Sequence, residues 1–141
     1  MSLKMTRDDL AAFMALHFEQ VADQFSVDEV AENALTMRLL ISEQHLRPGG
    51  TVSGPTMFLL ADVAVYLTTL AMIGPKALAV TTNCSIDFLR KPAAGVDLVA
   101  KCQLLKLGKA LAVGDVLIYS QGKPNPVARA TLTYSIPPTT G

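Results

Sequence analysis

Cysteine is scarce in this 141-residue chain, where only Cys84 and Cys102 are present. Two cysteines do not make a disulfide framework for a domain of this size. Both fall in apolar-patterned stretches and read as buried free thiols. Histidine is equally scarce, His17 and His45 being the two, and no Cys/His spacing suited to zinc occurs. Net charge is missing as well: twelve basic residues are cancelled by twelve acidic ones. That balance argues against a nucleic-acid partner, which calls for a basic face. The opening MSLKMTRDDL has no apolar core of the signal-peptide kind, so the expected location is cytoplasmic.

What the chain does have is apolar mass. Hydrophobic residues make up 50% of it, and the mean hydropathy is +0.36. The length suits one domain over residues 1–141 with a real core. A neutral, apolar surface points to self-association, so a homo-oligomer is expected. The apolar mass concentrates at 56–73, eighteen residues whose only ionisable groups are Asp62 and the Tyr66 phenol. Burying an unpaired carboxylate is costly, and such a group shifts its pKa or finds a hydrogen bond. The run just reaches membrane-spanning length. Its central Asp62, its hydroxyl residues and the lack of basic flanks argue instead for a helix enclosed in a protein core.

The flanks of this run define a helix. Pro55 suits the first helical position with Gly54 as N-cap, and Gly74-Pro75 ends it. Ahead of it, residues 6–25 have helical spacing and a Thr6 cap, His17 being a plain helix-face residue. Residues 26–33 read as a short strand, 35–42 as a half-buried one, and 43–50 as a loop. From Ala77 onward the pattern has period two: strands to Phe88, over 96–107, over 111–120 and over 127–136, with Pro137-Pro138 as the stop. Closely joined strands pair as antiparallel neighbours. A meander beside one enclosed helix implies an α+β fold, a curved antiparallel sheet wrapped around a long central helix, with an extra N-terminal helix. The expected divisions are an N-terminal helix at 1–25, a core at 26–136 and a tail at 137–141.

Two patches carry a family likeness. GTVSGPTMFLLAD at 50–62 and IDFLRKP at 86–92 resemble motifs of the hotdog-fold acyl-CoA thioesterases of the PaaI-like (phenylacetate-pathway) type. In that family a His-Gly-Gly precedes an acidic helix residue, and a Phe-Leu-Arg-Pro run ends a strand. The resemblance implies hydrolysis of an acyl-CoA thioester at sites built across a homodimer interface, dimers commonly pairing into tetramers. Asp62 takes the place of the nucleophile or general base. The Gly54 backbone N–H takes that of the oxyanion donor, and Thr81 that of a hydroxyl placing the attacking water. Arg90 and Lys91 fall where CoA phosphates are met. Ser53 and Pro55 stand where the family has its histidine and second glycine, and Arg47 where it has an asparagine. These three, with His45, are the remaining expected substrate contacts. No metal is implied, and coenzyme A enters only as part of the substrate; neither nucleic acid nor a membrane is expected as a partner.

Two other readings stay open on the residues alone. Loss of the motif histidine and the presence of Pro55 favour a non-catalytic acyl-CoA-binding module. A hotdog hydratase or dehydratase acting on acyl-CoA or acyl carrier protein ranks lower, because it pairs its carboxylate with a histidine that this motif lacks.

Overall fold

The computed structural model describes residues 3–76 and 79–138. It contains helix α1 (Arg7–His17), strands β1 (Phe25–Ala31) and β2 (Ala34–Leu39), and the long helix α2 (Gly54–Ile73). Strands β3 (Val80–Phe88), β4 (Leu98–Leu107), β5 (Leu111–Ser120) and β6 (Pro126–Ser135) follow. The expected start of the third strand at Ala77 and the tail beyond Pro138 lie outside the described residues.

Helix α2 starts one residue earlier relative to its cap than the sequence suggests. Ser53, in extended conformation, is the N-cap; its hydroxyl accepts from the Thr56 N–H, and Gly54 is already helical. A serine oxygen can satisfy an orphan N–H, which glycine cannot do, so the serine wins the capping position. At the other end Gly74 takes φ +95° and stops the helix, as expected. Thirteen of the twenty residues are buried, among them Leu60, Leu67 and Leu70 with no exposed surface. Each fully buried leucine is worth about 1.5–3 kcal/mol. By length and composition this helix is apolar enough to cross a membrane, but here it is the core of the fold. Enclosure is uneven along it. The first half leaves Pro55, Phe58, Leu59, Asp62 and Val63 partly or fully open, a stripe along one side.

Helix α1 is capped by Thr6 through a reciprocal pair with Asp9, but it ends at His17 instead of running to residue 25. The chain turns at 19–21 and makes a short 3₁₀ turn at Ala22–Gln24 before β1. β1 and β2 form a hairpin whose tip, Glu32-Asn33, places Asn33 at φ +60°. Asparagine tolerates this left-handed conformation better than most residues.

The six strands lie in the order β1-β2-β4-β5-β6-β3, all antiparallel. α2 packs on β2, β4, β5 and β6. The wrapped sheet is therefore as expected, with one correction. β3 does not neighbour β4; it pairs with β6 at the far edge. The linker 89–97 must cross three strand spacings, about 14 Å, which nine residues cover easily. It is pinned on the way by the Leu89 N–H to the Val127 carbonyl (2.8 Å) and the Ala93 N–H to the Ser120 hydroxyl (2.9 Å). Short connections favour adjacent strands, yet a linker of this length permits the jump, which leaves β3 as a sheet edge. At Gly114 of β5 the sheet leaves no room for a side chain against α2: a Cβ there would stand 3.1 Å from Val65 Cγ2.

Candidate functional site

The open side of α2 presents Asp62 towards the β3–β6 end of the sheet. Two hydroxyls hold it. Thr81 donates to Asp62 Oδ1 at 2.6 Å, and Tyr134 donates to the same oxygen at 2.7 Å. The Tyr134 hydroxyl also lies 3.1 Å from the Asp62 backbone carbonyl. Thr81 and Tyr134 are direct cross-strand partners on β3 and β6, so one register delivers both donors. A break in that register between Thr81 and Asn83 adds a residue to β3. Such a bulge re-aims the side chains on one side of it. This is why Thr81 reaches the carboxylate although Cys84, on the opposite alternation phase, also lies close enough to feel its charge.

Around Asp62 lies a pocket of about 390 Å³. Its walls come from Phe18 and Met14 of the N-terminal segment, Leu59, Val63 and Tyr66 of α2, and Val80 of β3. Apart from Asp62 and the hydroxyls of Thr81, Tyr66 and Tyr134, the lining is apolar. Tyr66 is buried, as expected of a core residue, with its ring edge-on to Phe18 at 5.5 Å and 5.7 Å from the Tyr134 ring. Burial pushes the Tyr134 phenol far up, and the Asp62 carboxylate adds to this, so it stays a proton donor at neutral pH. The Cys84 thiol is also raised, by burial first and by Asp62 second. Burial pushes Cys102 up to about 12. Neither thiol has the depressed pKa of a reactive cysteine. Among the described residues no group of three His, Cys, Asp or Glu side chains is placed to hold a metal ion.

Of the residues singled out from sequence, the fold thus joins Asp62 and Thr81, and Tyr134 completes the cluster. The sequence offered no sign of Tyr134 beyond its place on an alternating strand. Gly54 stands apart. It lies eight residues before Asp62 on the same helix, about 12 Å along the axis, under the Phe88 ring. Ser53 is spent on capping, its hydroxyl 2.8 Å from that of Thr56, and Pro55 is an exposed second helical residue. Arg47 is exposed in the preceding loop.

His45 is not free to meet a substrate. It is 4% exposed. Its Nδ1 accepts from the Ser42 N–H at 2.9 Å, and its Nε2 lies 2.8 Å from Gln24 Oε1. Both ring nitrogens are engaged, and burial lowers its pKa. The expected substrate contact is therefore a loop anchor, because a buried imidazole satisfies its polar atoms internally.

Arg90 and Lys91 are exposed where β3 ends. Arg90 donates to the Pro126 carbonyl. Together with Lys123 and Asn125 they line a pocket of about 270 Å³. A lysine in a turn carries no signal in the sequence, and Lys123 joins this pocket only because the 89–97 crossing brings Arg90 beside it.

The thioesterase superfamily model matches residues 49–126. A crystal structure of a Silicibacter sp. TM1040 protein, provisionally described as a thioesterase, is 56% identical with a TM-score of 0.92, covering 98% of this chain and 96% of its own. A mutant of the phenylacetic acid degradation protein PaaI from Thermus thermophilus is 25% identical with a TM-score of 0.71, covering 84% of this chain and 99% of its own. A Streptococcus mutans protein bound to acetyl-CoA is 24% identical, TM-score 0.71, covering 83% and 91%. A comparison with curated proteins finds no match.

Proposed function

The chain belongs to the thioesterase superfamily, as a hotdog protein of the PaaI type, and from that premise we propose that it hydrolyses acyl-CoA thioesters with Asp62 as the reacting carboxylate. The observation that carries this reading is a carboxylate in the wall of an apolar pocket, held by two hydroxyl donors. A thioester is an activated acyl group, so two things suffice: a base or nucleophile, and stabilisation of the oxyanion. The apolar pocket suits the acyl chain. The cationic pocket of Arg90, Lys91 and Lys123 suits the phosphates of CoA. The same-fold Streptococcus neighbour holding acetyl-CoA supports this class of ligand.

The oxyanion donor comes from a second copy of the chain. Within one chain Gly54 and Asp62 are about 12 Å apart along α2, too far to flank one carbonyl. The first N–H groups of a helix lack intrahelical partners and carry the positive end of its dipole. Assembly along the open stripe of α2 and the β3 edge brings such a start to a neighbour's Asp62. That seam has the apolar exposure an interface needs: Val80 at 56%, Phe88 at 52% and Phe58 at 38%. The reading is thus of a cytoplasmic homodimer or higher oligomer.

Thiol release from a panel of short, medium and aryl acyl-CoAs tests the proposal, with Asp62→Asn alongside. We expect turnover by the wild type and a kcat lower by about 10²–10⁴-fold in the variant, the usual contribution of a positioned acid or base. Binding of CoA without thiol release would instead favour the non-catalytic module, a reading that Ser53 and Pro55 at the motif positions keep in play.

A further inference from the structure

Resting on the thioesterase reading, we propose that Tyr134 is a positioning residue that, with Thr81, ties up Oδ1 of Asp62 and so leaves Oδ2 as the oxygen that meets the substrate. The two oxygens of a free carboxylate are equivalent, and the terminal torsion of aspartate is broad. In this site they are not equivalent. Oδ1 accepts from Thr81 at 2.6 Å and from Tyr134 at 2.7 Å, both in the range of charge-assisted O–H···O bonds. Among the described residues no side chain donates to Oδ2.

Tyr134 is suited to fix rather than to react. Its side chain is buried at 4% exposure and packs against Tyr66. Its hydroxyl sits between Oδ1 and the backbone carbonyl of the same aspartate, at 2.7 and 3.1 Å. The phenol thereby ties the carboxylate to its own main chain and restricts rotation. Its proton is committed to Asp62. The cross-strand pairing with Thr81, beside the β3 bulge, sets both donors on one oxygen at once.

The chemistry then runs through Oδ2 by either route. As a base, Oδ2 takes a proton from water while the water oxygen bonds to the carbonyl carbon. The C–S bond then breaks, and the proton passes to the departing thiolate. As a nucleophile, Oδ2 bonds to the carbonyl carbon and CoA leaves as thiolate, protonated from solvent. Water then hydrolyses the resulting anhydride. In both routes Oδ1 keeps its two hydrogen bonds while Oδ2 changes partners.

Tyr134→Phe removes one oxygen and leaves the ring in place. We expect kcat to fall about 10- to 100-fold, the worth of a hydrogen bond to a charged group, with KM nearly unchanged. The loss should fall on kcat and not on KM, because the phenol holds the reacting carboxylate and has no contact of its own to give the substrate. In an Asp62→Asn background the same change should cost nothing further. An unchanged kcat, a loss that falls on KM instead, or an equal loss in the Asp62→Asn background, would overturn the proposal. Thr81→Val probes the same oxygen should Tyr134→Phe fold poorly. If the wild type turns over no acyl-CoA, the thioesterase reading fails on its own. Crystal structures of wild type and Tyr134→Phe then decide the positioning role: an Asp62 carboxylate turned or split between orientations in the variant supports it, and an unmoved one sinks it.

Discussion

The Phe88 ring lies over the first residue of α2, so close that a Cβ on Gly54 would stand 3.2 Å from Phe88 Cζ. The contact joins the end of β3 to the start of the helix, the two places where a neighbouring chain is expected. It also lets the effect of Gly54 on stability be told apart from the role proposed for its N–H.

Gly54→Ala is expected to leave stability within about 1 kcal/mol of wild type, since alanine fits a helical position and restricts the unfolded chain. The clash is with the far end of a side chain that is 52% exposed, and that ring has room to yield. Activity should respond differently. On the proposed function, a methyl group beside the Gly54 N–H would keep a thioester carbonyl at a distance, and weakening one oxyanion donor costs about 10²–10³ in kcat. Melting temperature and kcat/KM measured together check this. An alanine variant that is stable and fully active would show that no carbonyl approaches Gly54.

Phe18 forms part of the wall of the Asp62 pocket and stacks edge-on against Tyr66 at 5.5 Å. Phe18→Ala should widen the pocket and shift preference towards longer or bulkier acyl groups. One methylene in an apolar site is worth about 1–3 kcal/mol, so the ratio of kcat/KM for long over short chains should change by about tenfold or more. Chain-length profiles of wild type and variant make the comparison. An unchanged profile would mean that the acyl group lies elsewhere.

Much of this fold could be read from pattern. The apolar run at 56–73, bounded by Pro55 and Gly74, gave the central helix, and the alternation of Leu98, Ala100, Cys102 and Leu104 gave the buried face of β4. Asp62 stood out because a carboxylate in such a run requires a partner. The partners themselves were less visible. Thr81 lies on the polar phase of its strand, and only the bulge between Thr81 and Asn83 turns it inward. Tyr134 is 72 residues from Asp62, and nothing local marks a tyrosine whose neighbour is set by register. The place of β3 beside β6 was hidden for a similar reason, because a nine-residue linker is compatible with either edge. His45 shows the opposite error: a histidine beside a motif suggests chemistry, whereas its burial between Ser42 and Gln24 was decided by the fold of the loop.

That buried histidine makes stability depend on pH in a definite direction. Burial lowers the His45 pKa below its ordinary 6.5. At a pH between the folded and unfolded values, the unfolded chain binds a proton that the folded one refuses. Stability therefore rises with pH across this interval and is lost as pH falls from 6.5 downward. The geometry agrees, for Nδ1 accepts the Ser42 N–H at 2.9 Å and cannot do so once protonated. Urea unfolding from pH 7.5 down to 5 should show wild type losing stability below that point. His45→Gln should be less stable at pH 7.5 by about 1–3 kcal/mol, the cost of leaving a buried polar group unmatched. Its curve should also be flatter through the same interval, since glutamine does not titrate. Parallel curves for the two proteins would mean that the acid sensitivity resides in another group and that the loop opens without His45 taking up a proton.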